Sequence, residues 1–211
     1  MPVVFDVSII VLLFTLFAVL HSLLASIANK KRFKENFGDL IAFYRLGYNI
    51  FSLASFYLIY VFSPKPHIII YDLPTPYDFI ILIPQLLAFA GLFWVFKYIC
   101  IKEFLGISQI KRYINKTYSS ELDEELTFTI GGPYKYSRHP VYLFSILFLL
   151  FRPVMDLFYL TFFICIVAYF YAGSYYEEKK LVQHFGEEYL KYREKVSRIF
   201  PSIPLKVYNP E

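Results

Sequence analysis

Gly132-Pro133-Tyr134-Lys135-Tyr136-Ser137-Arg138-His139-Pro140-Val141-Tyr142-Leu143 joins a basic loop to an apolar helix, and Glu177-Glu178 follows the next apolar run. Pro140 suits a first helical position, where no N–H partner is needed and its fixed φ already matches the helix. The free N–H groups and positive dipole end of that helix favour an anion. Arg138 and His139 stand beside that end and can add charge-assisted hydrogen bonds to a carboxylate or phosphate. The paired glutamates supply the opposite need, a place for an ammonium or sulfonium charge. Together the two segments suit a zwitterionic ligand.

Outward from this stretch the chain reads as membrane protein. It is 57% hydrophobic, with a mean hydropathy of +0.48, well above ordinary globular usage. Four apolar stretches, 3–28, 40–62, 77–100 and 154–176, are each long enough to cross about 30 Å of hydrocarbon as a helix. Residues 141–151 are too short for a straight crossing and stop at Arg152-Pro153, so they pair with 154–176 as a helical hairpin. Abundant Tyr and Phe fit aromatic belts at the interfaces only in part, because a compositional bias serves equally well. The expected fold is an all-α polytopic membrane helical bundle. It has three N-terminal spans, a C-terminal helical hairpin and an amphipathic tail helix, without an internal repeat.

The division expected is a single membrane domain over 1–211. Spanning helices fill 1–100, a cytoplasmic link 101–139, the hairpin 140–176 and a cytoplasmic tail 177–211. The first span lacks a basic leader and outruns a signal-peptide core, so it is expected to stay as an anchor. Lys30, Lys31, Arg32 and Lys34 follow that span, whereas the 63–76 link holds a single lysine, Lys65. Lys102, Lys111, Arg112, Lys116, Lys135 and Arg138 follow the third span. This asymmetry predicts an outside N-terminus, with the C-terminus and ligand site cytoplasmic. The net charge is +4, but its basic residues are dispersed among acids, which argues against a nucleic-acid partner.

Pro64, Pro66, Pro74 and Pro76 favour an extended outer link. The acidic cluster from Glu121 to Glu125 reads as a solvated loop or short helix. From 177 to 196 helical spacing returns, with Leu181, Phe185, Tyr189, Tyr192 and Val196 on one apolar face. Lys179, Lys180, Glu187, Lys191 and Arg193 give that helix a wet side, and Pro201 and Pro204 end it. It suits either the inner membrane surface or a lid over the site. Cys100 and Cys165 lie in apolar stretches without paired spacing, so neither a metal site nor a disulfide follows from them. Arg152 and Asp156 are expected to form an ion pair at the hairpin tip.

Gly-Pro-Tyr-x-x-x-Arg-His-Pro-x-Tyr, an apolar hairpin, Glu-Glu, then Phe185-Gly186-Glu187-Glu188-Tyr189 and Tyr192-Arg193 resembles the isoprenylcysteine carboxyl methyltransferase and phospholipid methyltransferase superfamily. The match covers about a third of the chain, near 130–201. Upstream, His21-Ser22-Leu23-Leu24-Ala25-Ser26 and Tyr44-Arg45-Leu46-Gly47-Tyr48-Asn49 are similar, more weakly, to the branch containing methanethiol S-methyltransferases. The resemblance implies an integral membrane enzyme that uses S-adenosylmethionine. Its acceptor would be a small thiol or a lipophilic molecule, a prenylcysteine carboxylate or lipid amine, reached through or along the lipid bilayer.

Carried over residue by residue, the resemblance implies that His139 contacts the cofactor carboxylate and Glu177 or Glu178 its ammonium. Arg138 and Tyr142 would shape the same site, Pro133, Tyr134 and Lys135 would border the adenosyl group, and Arg138 or Glu178 would orient the acceptor. A small Gly commonly follows the Tyr-Leu of this motif; Phe144 stands there instead, a ring expected to narrow the pocket. At membrane depth His21, Arg45 and Asn49 form a second polar set. It reads either as an interhelical hydrogen-bond cluster or as a wall for the acceptor substrate. Two rival functions stay open: an NADPH-dependent sterol or steroid-type membrane reductase, which shares an Arg-His-Pro-type segment, and a non-catalytic membrane scaffold or transport component. The glutamate pair and the shortage of basic groups for a 2′-phosphate favour the methyl donor.

Overall fold

A computed structural model describes residues 3–117, 122, 127–202 and 207–208. The acidic side chains of the 121–125 cluster and Pro204 lie outside the described residues. Along the chain come α1 (Val3–Ala25), α2 (Ile27–Phe37), α3 (Ile41–Phe62), β1 (Ile69–Asp72), α4 (Tyr77–Phe96), α5 (Ile101–Leu105), α6 (Ile107–Asn115), α7 (Pro140–Leu150), β2 (Val154–Asp156) and α8 (Leu157–Lys195). The architecture is all-α, as the composition predicted. Among the described residues three helices, α1, α4 and α8, are long and apolar enough to cross a membrane. With 22 residues α3 has the length as well, but Arg45, Asn49 and its tyrosines make it less apolar. Leu12, Leu53 and Leu87 are 67%, 74% and 67% exposed, an apolar surface that lipid rather than water accommodates.

The chain gathers into two compact units, one of Met1–Lys65 with Ile99–Thr127, the other of Pro66–Tyr98 with Phe128–Glu211. In the first, α1 packs on α3. The expected first span ends early, at Ala25, because Ser26 caps a new helix, its Oγ accepting the Asn29 N–H at 3.3 Å. The basic α2 follows. The 101–117 part of the inner link is helical, folding as α5 and α6 around Gly106, whose φ is +90°. A Cβ on Gly106 would lie 2.7 Å from the Leu46 backbone nitrogen, so glycine serves both the turn and the close approach of α3. Glu103 ties the two short helices together. It accepts from Arg112 and, at 2.9 Å, from Gln109, and the Arg112 hydrogen bond holds its carboxyl below the usual range despite partial burial.

The second unit is built on α4 against α7. The Phe144 ring fills the space that a side chain at Gly91 would need, 2.3 Å from an ideal Cβ there. Phe144 is thus spent on the α4–α7 packing. The extended outer link goes further than the prolines alone implied: β1 pairs antiparallel with β2, tying the hairpin tip to it. There Asp156 caps α8, accepting from the Tyr159 N–H at 2.7 Å, while the Arg152 guanidinium lies 3.7 Å from the centre of the Tyr159 ring. The expected Arg152–Asp156 ion pair is replaced by these two roles, because a free helix N-terminus and an aromatic face are nearer partners.

A second correction concerns the tail. No separate helix begins at 177; α8 runs 39 residues from the hairpin to Lys195, broken at Gly186, where φ is +55° and ψ −129°. Glu177-Glu178-Lys179-Lys180 contains no helix breaker, so the span simply continues past the bilayer-length portion. The expected apolar face does form: Tyr189, Tyr192 and Val196 are buried with Phe128, Ile130, Leu181 and Phe185. Also, α8 stops before Pro201, because the backbone beyond it takes other partners, described next.

Candidate functional site

Glu177 lies 20 residues beyond Leu157, a rise of about 30 Å along a helix, or one hydrocarbon thickness. The same helix therefore spans an apolar layer and delivers two carboxylates at its edge. Successive helical positions diverge by about 100°, so the two point differently. The consequence is a division of environment. The Glu178 side chain is 5% exposed and that of Glu177 52%.

Glu178 is saturated. Arg138 grips it with two donors, Nε to Oε1 at 2.9 Å and Nη2 to Oε2 at 3.1 Å. His139 Nε2 donates to Oε1 at 3.2 Å, and the Arg198 guanidinium stands 3.6 Å away. The remaining Arg138 nitrogen, Nη1, donates to the carbonyls of Arg193 and Val196, both at 2.6 Å. Those carbonyls close the C-terminal end of α8, where a cation is favoured by the helix dipole. Arg138 thus bridges the Gly186 break, holding Glu178 before it and the helix end after it. Breaking such a buried pair from one side typically costs about 3–5 kcal/mol.

The backbone reinforces the clasp. The Arg138 and His139 N–H groups donate to the carbonyls of Ser197 and Arg198, each at 3.0 Å. Ser137, fully buried, donates from Oγ to the Arg198 carbonyl at 3.3 Å and accepts the His139 N–H at 3.2 Å. Ile199 then packs on Leu143 and Ile146 of α7. The segment after α8 is an extended strap on the Ser-Arg-His turn. Its composition carries no signal of that; backbone pairing is blind to side-chain type.

Glu177 keeps capacity. Oε1 accepts the Tyr142 hydroxyl at 2.7 Å, and Oε2 faces His139 Nδ1 at 3.3 Å. A carboxylate at each ring nitrogen favours the charged form of His139: burial opposes the charge, but the ring's hydrogen bonds to Glu177 and Glu178 outweigh it and raise the pKa above the ordinary imidazole value. Its ring begins a stack, His139 on Tyr142 at 5.2 Å and Tyr142 on Phe170 at 4.4 Å. Pro140 starts α7 as expected, and His139 occupies the cap position without a side-chain cap bond.

Pro133, Tyr134 and Lys135 form a short 3₁₀ turn, Gly132–Lys135. The Tyr134 carbonyl accepts from the Tyr192 hydroxyl at 2.6 Å, and that of Lys135 from the Tyr208 N–H at 3.1 Å. Burial, and after it the charge of Glu177, pushes the Tyr134 phenol up to about 12. The structure therefore brings together Tyr134, Arg138, His139, Tyr142, Glu177 and Glu178. Sequence reasoning missed Phe170, Ser137 and Arg198. Among the described residues no group of His, Cys, Asp or Glu is arranged to hold a metal.

The other polar set belongs to the first unit and splits in two. His21 Nδ1 meets Ser52 Oγ at 2.9 Å and its Nε2 the Tyr48 hydroxyl at 2.6 Å. Arg45 and Asn49 both donate to the Phe104 carbonyl, at 3.2 and 2.9 Å. These bonds join α1 to α3 and α3 to α5.

This chain is 31% identical over 199 residues to methanethiol S-methyltransferase 1 of Bradyrhizobium diazoefficiens, an alignment covering 90% of the chain and 65% of that protein. Over most of its own length the chain is therefore similar to a protein named methanethiol S-methyltransferase. Two more relatives of that name match in part. The protein of Pseudomonas deceptionensis is 36% identical over 33% of the chain and 27% of its own length. That of Crocosphaera subtropica is 31% identical over 49% of the chain and 39% of its length. The chain thus spans 65% or less of the curated relatives it matches. No model of a known family matches it, and no solved structure does.

Proposed function

We propose that this chain is a membrane methyltransferase that moves a methyl group from S-adenosylmethionine to a small thiol. One observation carries the reading: a half-exposed carboxylate, Glu177, beside a ring biased toward its charged form, His139, on a scaffold already neutralised by Arg138 and Glu178. The donor set fits an amino-acid zwitterion. Glu177 has room for an ammonium, and the long His139–Glu177 contact leaves Nδ1 available to a carboxylate. Glu178, with its acceptor oxygens taken by Arg138 and His139, is assigned to holding His139 rather than to the ligand. By the same count Arg138 is a positioning residue, not an acceptor contact. Pro133, Tyr134 and Lys135 are assigned to the adenosyl border.

S-adenosylmethionine, when bound, supplies an electrophilic methyl carbon on a sulfonium. The acceptor sulfur would take that methyl group, with the C–S electron pair left to the donor and the thiol proton passing to water. This in-line displacement asks of the protein mainly alignment. Glu177 and His139 would fix one end of the donor, and the stacked Tyr142 and Phe170 keep His139 from rotating. The small-thiol preference rests on the relatives' names and comes to this chain as part of the proposal. The charge asymmetry further assigns the site to the cytoplasmic side, with the N-terminus outside. Thiol labelling of His67→Cys from the outer face, with Thr117→Cys protected, both positions being exposed, is the expected pattern, and the reverse overturns it.

The deciding experiment titrates the purified chain in detergent with S-adenosylhomocysteine and with NADPH, then assays methyl transfer to methanethiol and to a prenylcysteine analogue. Binding of S-adenosylhomocysteine with turnover of methanethiol is the expected result. Binding of NADPH alone would favour a reductase, and binding of neither would reduce the clasp to architecture.

A further inference from the structure

Tyr189 is 1% exposed, and its hydroxyl has no hydrogen-bond partner among the described residues. Burying a hydroxyl unpaired costs free energy that a phenylalanine ring in the same place would avoid. The ring itself is well used, edge-on to Phe128 at 5.4 Å and beside Tyr192 at 5.9 Å. Packing therefore explains an aromatic residue here and leaves the oxygen without a role. Tyr192, by contrast, spends its hydroxyl on the Tyr134 carbonyl.

Position narrows what the oxygen is for. The Tyr189 ring lies between Phe128 and Tyr192, in the cluster that the end of α8 forms with Ile130, Leu181 and Phe185. Its neighbour Tyr192 anchors the turn assigned above to the adenosyl border. Gly186, one turn upstream, breaks α8 at a positive φ, which sets the direction of the 187–195 segment that carries Tyr189 and Tyr192. We propose that the Tyr189 hydroxyl is a hydrogen-bonding contact for the nucleoside end of the adenosyl ligand. This rests on the cofactor reading above and names a residue and a subsite within it.

Tyr189→Phe removes the oxygen and keeps the ring. In the full chain in detergent, calorimetry with S-adenosylhomocysteine, adenosine and methionine, alongside melting without ligand, separates the outcomes. Affinity for S-adenosylhomocysteine and adenosine should fall about three- to tenfold, the loss of one neutral hydrogen bond. Methionine affinity should hold, and the melting temperature should stay level or rise. Unchanged S-adenosylhomocysteine affinity overturns the proposal, and a lower melting temperature with it would assign the oxygen to a buried water. Loss of methionine affinity alone overturns the nucleoside assignment. Failure of the wild-type chain to bind S-adenosylhomocysteine overturns the cofactor reading and this contact together.

Discussion

Both units set ionisable residues beside apolar helices, yet they use them in opposite ways. In the first, His21 bonds to Ser52 and Tyr48, and Arg45 and Asn49 share one carbonyl. Each polar group finds a partner on a neighbouring helix. In the second, Arg138, His139 and Arg198 converge on Glu178, while the adjacent Glu177 stays half exposed. An ionisable residue at membrane depth is therefore no functional signal by itself. Spare hydrogen-bonding capacity next to a saturated cluster is the stronger one.

The contrast breaks most visibly at Arg138. Arg138→Ala strands a buried carboxylate and releases two carbonyls, so the protein should lose about 3–5 kcal/mol. Thermal unfolding in detergent measures it, and Arg138→Lys should recover part of the loss, since an ammonium keeps the charge without the fork. A melting temperature unchanged in Arg138→Ala would deny the clasp.

Glu177→Gln tests the other side. It should weaken S-adenosylhomocysteine binding about ten- to hundredfold, the range for a charge-assisted hydrogen bond, with little change in melting temperature. Glu178→Gln should do the reverse, lowering stability first. Equal behaviour of the two variants would erase the distinction between them.

A smaller effect follows from His139, whose pKa is raised in the folded protein. Its stabilising contribution is full below the unfolded value near 6.5 and is lost as pH rises through the higher folded value. Melting temperature should therefore decline on the alkaline side in wild type, and decline less in His139→Gln. Identical profiles would mean that the imidazolium contributes nothing.

Smallest of all is the expected cost of Asn49→Leu in the first unit, about 0.6 kcal/mol for an interhelical hydrogen bond in a membrane protein. Melting temperature should drop slightly while methyl transfer and acceptor preference hold. A shift of preference from methanethiol toward a prenylcysteine analogue would instead make this set part of the acceptor wall.

Much of the molecule was legible in its residues because the bilayer reduces folding to length and polarity. Apolar runs of span length, Pro140 at a helix start and the 181–196 apolar face all reappear, since each depends on local chemistry or simple periodicity. The Arg-His and Glu-Glu segments were readable as one site of opposite charges, but as the two ends for a zwitterion rather than as partners of each other. Tertiary structure alone decided which glutamate is which: adjacent letters become a sealed and an open carboxylate because a helix turns them apart. It also decided that Phe144 fills the space beside Gly91, that β1 ties down the hairpin tip, and that the strap after α8 pairs with Arg138 and His139. Those contacts join residues far apart in the chain through ring packing and backbone hydrogen bonds, for which side-chain spacing along a sequence carries no code.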